Sequence, residues 1–213
     1  MGIVLYYMSG SPYAWRVWLA LEHKRIPFEL KTVSFDAGDL NTPEYVALNP
    51  RRRIPVLVDD GFALYESAAI VEYISDKWPQ EPHLLSADLG QRAVQRRMIR
   101  EADQYVGGAV ERLVSAILFT PREQWSDEKI AKGRTALKTE LATWETMIAG
   151  EYLAGALSAV DFTLFPYLGL VERMGTHKVG LAAPDLMGAR MTAWAQRMKG
   201  LPAVRKTWPP HWK

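Results

Sequence analysis

The chain has 213 residues, of which 48% are hydrophobic and 23% charged, with a net charge of +2 and no cysteine. That length supports one large or two small domains with a proper core. The near-neutral balance offers no global field to nucleic acid, and the missing thiols exclude disulfides, a disulfide-built secreted scaffold and a cysteine nucleophile. No apolar run approaches a membrane span. Met1 leads straight into an apolar run with no basic segment, so no signal peptide is expected. No internal repeat or low-complexity tract is found.

In chain order, the β-branched and aromatic run 3–7 predicts a buried strand. Met8-Ser9-Gly10 reads as a loop. Ser11-Pro12 then starts a helix, since Ser favours the N-cap and Pro the first helical position. Ala14, Val17, Trp18 and Leu21 give this helix its apolar stripe, and it ends before Pro27. Residues 28–35 alternate as a second strand, and 36–48 form a polar loop with a short helix after Thr42-Pro43. The stretch 49–74, NPRRRIPVLVDDGFALYESAAIVEYI, organises the rest. Pro55 lacks a backbone donor and belongs at the start of the strand Val56-Leu57-Val58. Asp59-Asp60-Gly61 is turn chemistry, and residues 62–65 pair back as a hairpin. Glu66-Ser67 opens a helix whose Ser67, Ile70, Val71 and Ile74 share one buried face. The N–H groups at its start form an anion site, to which Ser67 adds a hydroxyl. Taken alone, the stretch also fits an ordinary Pro-led hairpin before a capped helix.

Residues 79–88 carry two prolines and no helical period, so they read as a linker. Everything beyond reads as helical. Residues 89–119 predict one long helix with Gly107-Gly108 as a kink or close-approach point. Ile130, Leu137, Leu141, Trp144 and Ile148 keep helical spacing up to Gly150. Residues 158–171 predict a buried helix opening on Ser158-Ala159-Val160-Asp161, the spacing of a capping box. A further helix spans 184–199, and 201–212 is a short aromatic tail.

An α/β unit built as strand, helix, strand, hairpin and helix, followed by an all-α unit with a Ser-x-x-Asp cap, resembles the cytosolic glutathione transferase family over the whole chain. The resemblance implies a thioredoxin-like α/β domain at 1–78 that binds glutathione, a linker at 79–88, and an all-α helical-bundle domain at 89–213 carrying the electrophile site. It implies a cis peptide before Pro55. Ile54 then lends its backbone N–H and C=O to the cysteinyl part of glutathione, while Glu66 and Ser67 hold the γ-glutamyl end. Arg53 matches the position that reaches the glycyl carboxylate, which a guanidinium can bind bidentately.

Serine-type members of the zeta, tau and phi kinds place their catalytic Ser close to Ser11, and the run SPYAWRVWLALE looks most like zeta and tau. The nucleophile is the glutathione thiolate. A hydrogen-bond donor and a helix N-terminus both favour that anion. As N-cap, Ser11 accepts from the backbone and leaves its own proton to point at sulfur. Its other reading is a helix cap and nothing more. Ser9 and Tyr7 are the alternative donors. The zeta pattern Ser-Ser-Cys is Ser11-Pro12-Tyr13 here, which counts against maleylacetoacetate isomerase activity. Disulfide-exchange classes are excluded for want of a thiol.

Arg51 and Arg52 read equally as a solvated loop. Arg92, Arg96 and Arg100 fall at i, i+4 and i+8, with Glu72 and Asp76 on the preceding helix. The resemblance implies a homodimer in which these charges pair between subunits, solvated faces being the alternative. Tyr105, Gly108, Arg112 and Phe119, with Trp208 and Trp212, are the candidate lining of the electrophile site, although each aromatic alone reads as core. His23, His83, His177 and His211 show no metal spacing, so no metal is expected. The whole reading is a cytoplasmic homodimer that uses glutathione against small electrophiles in detoxification, with no nucleic-acid or membrane partner. The alternatives are a glutathione-dependent isomerase and a non-enzymatic adaptor of the same fold.

Overall fold

A computed structural model describes residues 2–176 and 181–212. Its contacts divide the chain into two units, Met1–Ser86 with Pro202–Lys213, and Ala87–Leu201. The first unit begins β1 (Ile3–Tyr7), α1 (Pro12–Lys24), β2 (Phe28–Thr32), α2 (Pro43–Leu48), β3 (Val56–Asp59), β4 (Phe62–Tyr65) and α3 (Ser67–Lys77). The strands form one sheet in the order β2-β1-β3-β4. β2 runs parallel to β1, and the other two pairings are antiparallel. Leu5 and Leu57 of the two central strands are fully buried, as are Ile70 and Ile74 of α3. β2 stops at Thr32 rather than 35. Val33 N–H still donates to the Tyr7 carbonyl, but Ser34 N–H turns to Asp39 Oδ2 at 2.9 Å, closing a loop instead of extending the ladder.

At the far end of the hairpin Asp59 is buried and takes hydrogen bonds from Tyr73 Oη (2.6 Å) and Lys77 Nζ. Burial opposes its ionisation, yet the two hydrogen bonds prevail and hold its carboxyl below the ordinary range.

The second unit contains α4 (Leu89–Glu101), a π-helical turn (Ala102–Gly107), α5 (Gly108–Ile117), α6 (Asp127–Met147), α7 (Ala159–Gly175), α8 (Ala183–Leu186) and α9 (Ala189–Gly200). The expected long helix 89–119 is therefore interrupted by a π turn. A Cβ on Gly107 would lie 2.9 Å from Tyr167 Oη, which donates to Asp103 Oδ1 at 3.0 Å. The tyrosine passes over the glycine to reach the preceding turn, so the close approach expected at Gly107 is present.

The capping box opening α7 is formed as expected. Asp161, fully buried, accepts from Ser158 N–H (2.9 Å) and Ser158 Oγ (3.1 Å) on one oxygen, and from Leu153 N–H (3.0 Å) and Trp194 Nε1 (2.8 Å) on the other. Burial pushes its carboxyl above the ordinary range, and the four donors pull against that shift.

The single helix expected at 184–199 is two, α8 and α9, broken at Met187-Gly188. Glu145 of α6 causes the break. Its oxygens accept from Arg190 N–H (2.8 Å) and Met191 N–H (2.9 Å), the first turn of α9. A Cβ on Gly188 would come within 2.6 Å of the Glu145 carboxyl carbon. The carboxylate thus replaces a local cap.

Two segments group differently from expectation. Residues 79–86, read as linker, belong to the first unit, where Leu84 and Leu85 are buried and Lys24 Nζ donates to the Gln80 carbonyl. The tail, expected with the helical domain, also joins the first unit through α10 (Pro202–Thr207) and the turn Pro210–Trp212. It packs on α1, where the Trp15 indole donates to Thr207 Oγ1 at 2.7 Å. Trp15 meets Trp208 and Trp212 edge-on, with centroids 5.3 and 5.7 Å away. This contact explains why α1 buries Trp15 as well as Ala14, Val17 and Leu21 of its expected stripe, while Trp18, the fourth member, is only half-buried.

Candidate active site

Three chain segments converge at one end of the sheet. The registers Tyr6↔Val56 and Val56↔Tyr65 align the end of β1, the start of β3 and the end of β4. Immediately beyond them lie Tyr7 to Ser11, Ile54-Pro55 and Glu66-Ser67. Helices α1 and α3 both begin there, so both N-termini bring their positive dipole ends to one place. An anionic group is the ligand such an end suits.

The β1–α1 connection is a turn closed by Ser11 N–H on the Met8 carbonyl at 3.2 Å. Gly10 supplies its positive φ of 89°, and a Cβ there would also meet Trp212 and His211 within 3.3 Å. A side chain at this position would be strained by the dihedral and crowded by both rings. Ser11, half-buried, is the N-cap of α1 and accepts from Ala14 N–H at 3.3 Å, with Pro12 in the first turn. Its oxygen is engaged as acceptor, so its proton can be directed outward. Ser9 Oγ lies 3.4 Å from His211 Nδ1. The Tyr7 ring packs edge-on against Trp18 at 5.1 Å.

The Ile54–Pro55 bond is cis. The loop before it is held from inside. The Arg53 carbonyl accepts from Tyr45 Oη (2.7 Å) and Asn49 Nδ2 (2.8 Å), while Asn49 Oδ1 accepts from Arg51 N–H (2.9 Å). Burial, then Tyr6, raises the Tyr45 phenol well above its ordinary pKa, so it stays a donor. The Arg53 side chain is exposed. Glu66 adopts φ 70°, ψ 103°, a conformation costly for a residue with a Cβ, and projects into solvent at the head of α3. Backbone strain of this kind concentrates where a ligand is held. Ser67 beside it is buried.

The sequence reading therefore names most of what lies at this end. It misses Asn49 and Tyr45, whose role is to fix a neighbouring carbonyl and leaves no spacing signal. It also misses His211, whose spacing from the other histidines speaks only to metal binding. Of those others, burial first and then Lys24 and Arg25 lower the pKa of His23, His83 pairs with Glu81 at 3.2 Å, and His177 lies outside the described residues. The candidate electrophile lining is split between units. Trp208 and Trp212 sit on the first, while Tyr105, Gly108, Arg112 and Phe119 belong to the second. There Tyr105, Arg112 and Phe119 are exposed, Phe119 by 79%.

A mixed four-stranded sheet with a cis-proline opening β3 and two helix starts at one end, followed by a helical unit, defines the class: a thioredoxin-like domain joined to an all-α domain. The sequence family described as glutathione S-transferase, N-terminal domain, matches residues 10–77. Maleylacetoacetate isomerase of Pseudomonas aeruginosa is 36% identical over 82% of this chain and 83% of its own. Glutathione S-transferase 1 of Dianthus caryophyllus is 32% identical over 77% and 75%. A glutathione transferase family member from Pseudomonas fluorescens, solved with two glutathione bound, superposes with a TM-score of 0.85 at 23% identity, over 98% of this chain and 92% of its own. The chain belongs to the glutathione transferase family. No described helix is long and apolar enough to cross a membrane.

Proposed function

We propose that the chain binds glutathione at this end of the sheet and activates its thiol for attack on small electrophiles, as a serine-type transferase with Ser11 as donor. One observation carries the reading: Ser11 caps α1 with its oxygen, which leaves its proton for an anion in front of the helix. A thiolate there gains a hydrogen bond and the field of the N-terminus. Ile54 and cis-Pro55 present backbone to the cysteinyl part, Arg53 takes the glycyl carboxylate, and Glu66 and Ser67 take the γ-glutamyl end. Tyr7 and Ser9 are weaker candidates, because each has a neighbour of its own, Trp18 and His211. Tyr105, Gly108, Arg112 and Phe119 of the helical unit remain proposed for the electrophile site. Detoxifying conjugation in the cytoplasm is the proposed setting.

The test has two stages. Retention on immobilised glutathione separates a binder from a non-binder, and turnover of an aryl halide separates an enzyme from an adaptor. Within this scheme Glu66→Ala is expected to weaken glutathione binding by about 1.5–3 kcal/mol, the worth of a charge-assisted contact. Titration calorimetry on the folded variant measures it, and unchanged affinity removes Glu66 from the site.

A second reading, glutathione-dependent cis–trans isomerisation, draws support from relatives named maleylacetoacetate isomerase. Pro12 and Tyr13 in place of the expected Ser-Cys argue against it. Assaying maleylacetoacetate beside the aryl halide decides between the two.

The same reading includes a homodimer. Arg96 and Arg100 of α4 are exposed, as is Asp76 of α3, with Arg92 and Glu72 half-buried. Leu89, Val94 and Phe62 are large exposed apolar groups that an interface would cover. The dimer is expected to weaken as salt screens the charge pairs, while its apolar part persists. Sedimentation at low and high ionic strength checks this, and a monomer at micromolar concentration in both refutes it.

A further inference from the structure

The C-terminal tail ends on the loop that leads into α1. Three tryptophans hold it there. The indole of Trp15, in the first turn of α1, donates to buried Thr207, and its ring packs edge-on against Trp208 and Trp212. Trp212 N–H closes a turn on the Pro209 carbonyl at 3.0 Å. The result is that His211, exposed at one edge, lies against Ser9 and Gly10. Its Nδ1 is 3.4 Å from Ser9 Oγ, and its Nε2 is 3.3 Å from where a Cβ on Gly10 would stand. Gly10 directly precedes Ser11, and its missing side chain is what admits the imidazole and the indole together.

We propose that His211 is the proton acceptor for the glutathione thiol, and that Ser9 orients its ring. The inference rests on the transferase reading of the site. With Nδ1–H donating to Ser9 Oγ, Nε2 keeps its lone pair and faces Gly10, the residue directly before the Ser11 that is proposed to receive the sulfur. This repeats a general arrangement, a base held in one tautomer by a third group while its other nitrogen meets the nucleophile. The S–H bond breaks, its electron pair stays on sulfur, and the proton forms an N–H bond at Nε2. The resulting imidazolium sits next to the thiolate, and its exposed edge returns the proton to water. Ser11 then stabilises the anion that His211 has produced. Ser9 acts only through His211 and is a positioning residue.

The experiment compares wild type, His211→Gln, His211→Ala, Ser9→Ala and Ser11→Ala in steady-state conjugation of glutathione to a chlorodinitrobenzene. Glutathione affinity is measured separately by calorimetry. Both His211 variants are expected to bind glutathione as wild type does and to lose about 10²-fold in kcat, the usual worth of a positioned base. Ser9→Ala should show a smaller loss. Added imidazole should restore turnover to His211→Ala but not to Ser11→Ala, a rescue that a purely structural role for the tail would not produce. A wild-type rate in His211→Gln, or no imidazole rescue of His211→Ala, overturns the proposal. Failure of wild type to bind glutathione overturns the transferase reading itself, whereas normal binding with unaltered turnover in His211→Gln overturns this inference alone.

Discussion

Ser11→Ala is expected to lower turnover about 10²-fold, the cost of removing one preorganised donor to an anion, while glutathione still binds. The hydroxyl serves the sulfur, whereas the proposed contacts to the glutamyl and glycyl ends lie on other segments, at Glu66-Ser67 and Arg53. The thiolate of bound glutathione should therefore require a higher pH to form. Ultraviolet difference titration of the thiolate measures this in wild type, Ser11→Ala, Ser9→Ala and Tyr7→Phe. The same substitution removes the cap on Ala14 N–H and should cost about 1 kcal/mol of stability, so folding is checked first. A normal titration in Ser11→Ala with a shifted one in Ser9→Ala or Tyr7→Phe moves the role to that residue. No shift in any of the three favours a binding protein without thiol activation.

Asp161→Ala is expected to have the largest effect on stability. Its two oxygens satisfy four donors inside the helical unit, from Ser158 twice, Leu153 and Trp194. Removing them leaves four buried donors facing a void. Each costs about 1–3 kcal/mol when unsatisfied, and neighbours do not add in full, so a loss of roughly 3–5 kcal/mol is expected. Asp161→Asn keeps one acceptor oxygen and turns an amide toward the other donor pair, so it should fall between. Urea unfolding followed by tryptophan fluorescence reports it directly, since the Trp194 indole is one of the four donors. An alanine variant with the wild-type midpoint would show that water or repacking replaces the carboxylate.

Both predictions concern features legible in the amino-acid sequence, and for the same reason. Ser11-Pro12 and Ser158-x-x-Asp161 are caps, formed by residues within four positions of one another. The Pro-led hairpin and the Glu66-Ser67 helix start are equally local. The cap that begins α9 shows the opposite case. Gly188 offers no side chain, and the carboxylate that serves instead is Glu145. No spacing rule connects a glutamate on one helix to the first turn of another 45 residues later. The clamp on the Arg53 carbonyl is similar in kind. Asn49 opens the stretch 49–74 with no signal of its own, and only the folded loop reveals that its amide binds on both sides.

The tail marks the largest gap between chain order and space. Residues 201–212 follow the last long helix, so contiguity assigns them to the helical domain. Three indole rings decide otherwise, because burying large apolar surface against α1 outweighs sequence proximity. The cis peptide before Pro55 and the roles given to Ile54, Glu66 and Ser67 came from the family resemblance, whereas the sequence by itself determined the order of elements in the α/β domain and the turn and cap residues. These follow from backbone dihedrals, capping and hydrophobic period, which act over a few residues. Only the tertiary structure decided that the end of β1, the start of β3 and the end of β4 coincide, that Asn49 and Tyr45 brace the arginine loop, and that His211 returns across 202 positions to stand beside Ser9. Those contacts are selected by packing among distant segments, a choice that no local pattern records.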